Sequence, residues 1–226
     1  MAALSLRGRL VALLVAAVVL GGAGPALAVD AKGSYSVRGI GSQSCETAVA
    51  SAEKDANAAA SLASWMLGYL SAANRYEQET FDLVPVTDAR AMASVLVALC
   101  RKAPKSPVEN VLVEMLRAMA RARLRADSPL VETKSGNAAA TVRQEVLLSM
   151  QQRLNQRGLL KAKADGTYGP QTEAAFKEYQ KAEKLPVTGV ADAATVLRML
   201  VEQAPAAQPA PAPAPPAPAA PAQPRR

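Results

Sequence analysis

LLSMQQRLNQRGLL (147–160) and DGTYGPQTEAAFKEYQKAEKLPVTGVADAATVLRML (165–200) carry the strongest pattern in the chain. In the first stretch Val146, Leu147, Met150 and Leu154 fall on one face at helical spacing, and Gly158 marks a stop. Asp165-Gly166-Thr167-Tyr168-Gly169-Pro170 is too rich in turn residues to continue a helix. Thr172 then enters a second helix that places Ala175, Phe176 and Tyr179 inward. Leu185-Pro186-Val187-Thr188-Gly189 forms a second connector. Asp192 can cap a third helix, with Val196, Leu197 and Leu200 inward. Thr141-Val142-Arg143-Gln144 has the form of a capping box and predicts the start of the first helix. The segment 141–201 is therefore expected to be a three-helix bundle.

The order of residues across this segment closely resembles the peptidoglycan-binding type 1 module. Leu-Leu-Ser-Met-Gln-Gln-Arg-Leu ending at Gly158, the Asp165-Gly166-Thr167-Tyr168-Gly169 loop with Thr172, Phe176, Tyr179 and Gln180, and the Thr188-Gly189 turn with Asp192 and Thr195 carry the resemblance. It departs at Met150, where the register against Gln151-Gln152 is ambiguous. The resemblance implies a three-helix bundle that binds the cell wall. Gly166 and Gly169 allow backbone conformations that other residues resist, and Asp165 can hydrogen-bond its own turn. Asp165, Gly166, Gly169, Gly189 and Asp192 thus read chiefly as builders of the loops. Tyr168, Thr172 and Gln180, with Asp165 beside them, form the candidate ligand-contact set.

Ahead of this segment the chain is patterned for helices. Alanine is abundant and only 4% of residues are aromatic, which favours helices over sheets. An alanine-rich stretch from Cys45 to about Asn57 predicts one helix. Leu62, Trp65, Met66, Tyr69 and Ala73 lie on one face of a second. Phe81–Val86, with Pro85, is a connector. Thr87 can cap a third helix carrying Met92, Val95, Leu96 and Leu99. Ser106-Pro107-Val108-Glu109 predicts a capped fourth helix with a stripe of Val108, Val111, Leu112, Met115, Leu116 and Met119. Arg117, Arg121, Arg123 and Arg125 crowd its end. They read as a solvated face opposing the helix dipole, with an anion patch as the sharper alternative. Residues 126–140 lose periodicity and predict an interdomain linker.

Residues 33–124 resemble, more loosely, the small disulfide-bonded helical periplasmic proteins related to the HdeA acid chaperones. Trp65-Met66-Leu67-Gly68-Tyr69-Leu70-Ser71 with Asn74, and Cys100-Arg101 ahead of Pro104, carry that likeness. It implies a four- or five-helix bundle over 29–125 with Cys45 bridged to Cys100, and Gly68 allowing close helix approach. Two cysteines alone, in an oxidising compartment, also favour one bridge over two buried thiols. Trp65 and Tyr69 read as core, and Asn74 as either a helix cap or a polar contact.

The ends set the expected compartment. Arg7 and Arg9, the apolar run Leu10–Leu20 and Ala26-Leu27-Ala28 have the form of a signal peptide over 1–28, cleaved before Val29. An uncleaved anchor is the other reading of the same run. No cysteine stands directly after the site, which argues against a lipoprotein. Removing 1–28 leaves 24 basic against 19 acidic residues, a net charge of +5 instead of the full chain's +7. Such a balance names no partner. Nine of the 16 prolines lie in 202–226, a tail expected to be disordered and extended, because it has nothing with which to build a core. The periplasm is the expected location.

The composition narrows the chemistry. The chain has no histidine, so zinc hydrolases with histidine ligands and cysteine transpeptidases with a histidine base are not expected. Ser51-Ala52-Glu53-Lys54 and Lys134-Ser135-Gly136 mimic two penicillin-binding elements, but the middle element is missing. A lysozyme-like cleavage would need one acid of raised pKa, with Glu46 and Glu53 as candidates. The expected architecture is all-α, and the expected function is non-catalytic peptidoglycan binding. The weaker alternative is a wall-associated enzyme or accessory with glycan-cleaving activity. No cofactor or metal is expected. Expected partners are peptidoglycan and a periplasmic protein through 29–125, with no nucleic acid, and no membrane after signal cleavage.

Overall fold

The first helix starts where a serine caps it. Ser44 accepts from the backbone N–H of Thr47 at 3.3 Å and opens α1, Cys45–Lys54. These elements come from a computed structural model, which describes residues 34–202; residues 1–28, expected to be a signal peptide, and the tail beyond Glu202 lie outside the described residues. Asp55 is extended (φ −139°, ψ 123°) and its carboxylate caps α2, Ala56–Tyr76. The alanine-rich run expected as one helix to about Asn57 is thus divided at Asp55. A short polar side chain there satisfies the next helix's first N–H groups better than its own helix would.

Two capping expectations are corrected. Helix α3, Ala89–Lys102, is capped by Asp88, which accepts from Arg90 and Ala91. Thr87 instead donates to the carbonyl of Thr141 at 2.6 Å. Helix α4, Val108–Met119, follows Pro107 and has no side-chain cap. Glu109 does not fold back on the helix start. It is buried and accepts from the Tyr69 hydroxyl at 2.9 Å. Ser106 is held through its carbonyl, which accepts from Cys45 N–H at 2.8 Å.

Cys45 and Cys100 are bridged, with Cα atoms 5.0 Å apart. Leu62, Met66, Leu70, Met92, Leu96, Leu112 and Met115 pack around the bridge as the helical core. Trp65 is half-buried and donates from Nε1 to the Arg38 carbonyl at 3.0 Å. Its ring covers Gly41, where a Cβ would stand 2.0 Å from Cζ2. Gly41 therefore provides the close approach expected of Gly68, where an added Cβ would meet no other element within 4 Å. Asn74 is a polar contact, not a cap. Its amide donates to Asp82 at 3.2 Å and its oxygen accepts from Leu83 N–H at 2.9 Å. This holds the buried connector Leu83–Val86 in place.

The all-α expectation is also corrected. Strands β1, Leu130–Ser135, and β2, Ala138–Arg143, pair antiparallel with Thr133 opposite Ala140. The stretch expected as a linker is therefore largely a hairpin, and Thr141–Arg143 continue its second strand. Gly136 takes φ +57° at the first position of the two-residue turn, the conformation a type II′ hairpin turn needs there. Thr133 and Val142 are buried beneath it.

Helix α5, Gln144–Gln156, follows β2 with no side-chain cap, so the predicted capping box is not formed. Helix α6, Pro170–Ala182, and α7, Ala193–Val196, complete the C-terminal module. The latter runs into a π turn at Leu197–Glu202. Met150, Leu154, Phe176, Tyr179 and Met199 are buried among these helices. Among the described residues, those from Arg38 to Glu202 form one compact unit, and the helical and C-terminal cores join into one cluster of buried residues.

Candidate functional site

Two buried glutamines organise the C-terminal module. Gln151, on the inner face of α5, is 1% exposed. Its Oε1 accepts from the N–H groups of Asp165 at 2.9 Å and Gly166 at 2.7 Å. Its Nε2 donates to the Thr167 carbonyl at 2.8 Å and to Thr172 Oγ1 at 3.1 Å. A primary amide has two donors and one oxygen with two lone pairs, so Gln151 is fully used. The loop wraps its head because Gly166 takes φ +73° there. A Cβ on Gly166 would stand 2.7 Å from Gln144 Cγ.

Gln180 repeats the device on α6. Its Oε1 accepts from Gly189 N–H at 2.8 Å. Its Nε2 reaches Thr188 Oγ1 at 2.9 Å, Val190 O at 3.0 Å and Thr195 Oγ1 at 2.9 Å. Gly189 takes φ +75°. In each turn a threonine follows six residues after the left-handed glycine, Thr172 after Gly166 and Thr195 after Gly189. Asp192 caps α7, accepting from Thr195 N–H at 2.8 Å.

Tyr168 ties the two turns together. Its hydroxyl donates to the Gly189 carbonyl at 2.8 Å, and its ring stacks on Phe176 with centroids 6.4 Å apart. Burial, with the Glu173 carboxylate adding to it, pushes the Tyr168 hydroxyl up to about 12. Glu173 is held below the usual carboxylate range, first by the hydrogen bond from Lys177 and then by that from Ser135. These bonds measure 2.6 and 2.7 Å. Ser135 belongs to the hairpin, and so does Thr133, whose Oγ1 accepts from Ala191 N–H at 3.1 Å. The hairpin thus braces the second turn.

Residues 143–199 match the family model described as "Putative peptidoglycan binding domain". The match covers about a quarter of the chain. No curated protein and no solved structure matches it.

Within this peptidoglycan-binding module the four candidate contacts divide. Asp165 is exposed and its Oδ1 accepts from Thr167 N–H at 2.8 Å. Tyr168 is half-buried, with its hydroxyl engaged. Thr172 and Gln180 are buried, at 4% and 0% exposure, and are bonded inward. A buried amide whose donors and acceptor are all engaged has nothing to offer a ligand without breaking those bonds. Asp165 and Tyr168 are therefore the two members that reach the surface.

Reading the sequence did not single out Gln151 or the hairpin. The turn glycines pointed to loops without showing what fills them. Gly136-Asn137 between two runs holding Val131, Thr133 and Val142 is a hairpin signal of the Gly-Asn kind.

A groove of about 420 Å³ runs beside the hairpin, lined in part by Thr87, Asp88, Thr141 and Asp192. In the helical region a larger groove of about 750 Å³ lies between α1, α2 and α3, and half of its lining residues are alanine. Glu53 on its rim pairs with Arg101 at 2.6 Å, and both side chains are more than half exposed. Glu46 is exposed as well. Among the described residues, no three acidic or cysteine side chains group where a metal ion could be held.

Proposed function

We propose that this is an exported, non-catalytic protein of the periplasm. Its C-terminal module anchors it to peptidoglycan, while the disulfide-bonded helical region presents a second surface to a protein partner. The observation that carries the anchoring is the family match at 143–199, together with both glutamine-held turns being complete in that segment. Among the described residues no helix is long and apolar enough to cross a membrane, so attachment through the wall polymer suits the folded part. The alanine-lined groove supports the second role, because an open, weakly polar surface is suited to contact without chemistry. The glycan-cleaving alternative has less support. Glu53 is spent on an exposed ion pair, and neither it nor Glu46 is enclosed as a general acid requires.

Incubation of the mature chain with purified sacculi, followed by sedimentation, tests the anchoring. The protein should pellet with sacculi, stay in solution without them, and be released by soluble muropeptides. Retention in the supernatant at every sacculus concentration would remove the reading. Reducing ends released from the sacculi would overturn the non-catalytic assignment.

A further inference from the structure

Four arginines crowd residues 117–125, and the fold sends them to different places. Arg117 pairs with Glu114, and Arg125 with Glu79 at 2.5 Å. Arg121 and Arg123 line a groove of about 310 Å³ between the end of the helical region and α5 of the module. The 3-10 turn Ala120–Ala122 and the extended Arg123 that follows form one wall. Ser149, Gln152, Arg153 and Gln156 form the other. Their spacing of three, four and seven residues sets them on one helix face.

Three features mark this groove as a site for an anion. Its walls bring three arginines against a single carboxylate, Glu145. Arg153 makes no ion pair among the described residues. Arg123 is half-buried, and its Nε is buried without a hydrogen-bond partner. A guanidinium that the fold leaves short of an acceptor gains from a partner at its remaining N–H groups, and a carboxylate is the group whose two oxygens match the guanidinium fork. The amides of Gln151 and Gln180 cannot supply this recognition, since they are consumed inside the fold.

We propose that the groove is a composite binding site for the free carboxylate of a peptidoglycan peptide stem, with Arg123 and Arg153 as its principal contacts. The inference rests on the peptidoglycan reading above and adds the part of the polymer that is held. Ser149, Gln152 and Gln156 offer hydrogen bonds to the neighbouring amides. Glu145 tempers the affinity for anions. Because one wall comes from the helical region, the site exists only when that region is docked on the module.

The test is sedimentation of the full mature chain with native sacculi and with sacculi whose carboxylates have been converted to amides. Charge-assisted hydrogen bonds of this kind predict that amidation weakens wild-type binding about tenfold. The double variant Arg123→Gln/Arg153→Gln should bind native sacculi about tenfold more weakly and lose nothing further on amidated ones. Glu145→Gln should bind native sacculi more tightly, a gain that misfolding cannot produce. Equal binding of wild type to both kinds of sacculi, or an unchanged affinity of the arginine variant, overturns the groove assignment and leaves anchoring intact. Binding to neither kind overturns both.

Discussion

Residues 45–119 and residues 143–199 are both mainly helical, yet they are held together differently. The first region has long helices, a core of Leu, Met and Val, and one covalent bridge between Cys45 and Cys100. The second has short helices whose connectors are fastened to Gln151 and Gln180 by eight hydrogen bonds. Apolar stripes are tolerant of detail, because many side chains of suitable volume fill the same space. A buried amide network is not, because each unmade bond leaves a desolvated polar group. The module therefore needs particular residues at particular spacings, and that need makes it recognisable as a motif.

The largest expected effect is on the bridge. A disulfide that closes a 55-residue separation contributes about 4 kcal/mol in the chain-entropy model. Calorimetry under reducing conditions should show the whole of unit 38–202 losing stability if the continuous core couples the two regions. A module transition that stays in place while the helical one falls would divide them into independent folding units.

A smaller loss, about 3 kcal/mol, is expected from Gln180→Ala, which orphans Gly189 N–H and the Val190 carbonyl and opens a cavity. Chemical denaturation measures it. A loss under 1 kcal/mol would mean that packing, not the amide, holds the second turn, and the contrast between the regions would fail.

The smallest effect is on alkaline titration. Burial pushes Tyr179, like Tyr168, up to about 12, with Glu183 adding to the shift. A tyrosine whose folded value is raised contributes stability that is fully present below its ordinary value near 10. That contribution is lost as pH rises from there through about 12. Absorbance at 295 nm should show two tyrosines ionising late, with the module loosening over the same range. Ordinary titration of every tyrosine near pH 10 would show that the Tyr168–Gly189 link is open in solution.

How much of this was readable differs along the chain. The helices of 147–200 and the loops between them were visible because turn glycines, Asp192 and the apolar spacing all point the same way. For the four candidate contacts, the sequence tells which turn each one flanks but not whether it faces outward. Tyr168 and Asp165 do lie at the loop surface, whereas Thr172 and Gln180 are interior, since a polar residue beside a loop carries no mark of which side it faces. The stretch 126–140 reads as a linker because β1 alternates weakly and Lys134, Ser135 and Asn137 look solvated, yet Thr133 is buried against Ala191. The capping expectations at Thr87, Ser106 and Thr141 failed for one shared reason. Each of those residues is engaged with a segment distant in sequence: Thr87 with Thr141, Ser106 with Cys45.

The amino-acid sequence fixes what is local: where helices run, where glycine lets the backbone turn back, and which apolar faces seek cover. These follow from dihedral preference and from side-chain periodicity, and both act within a few residues. The pairing of Gln151 and Gln180 with their turns, the sheltering of Trp65 over Gly41 and the meeting of Arg123 with Arg153 across a groove depend on contacts between residues far apart in the chain. Long-range packing alone selects those partners, because desolvation penalises an unpaired amide or guanidinium only once the fold has excluded water around it.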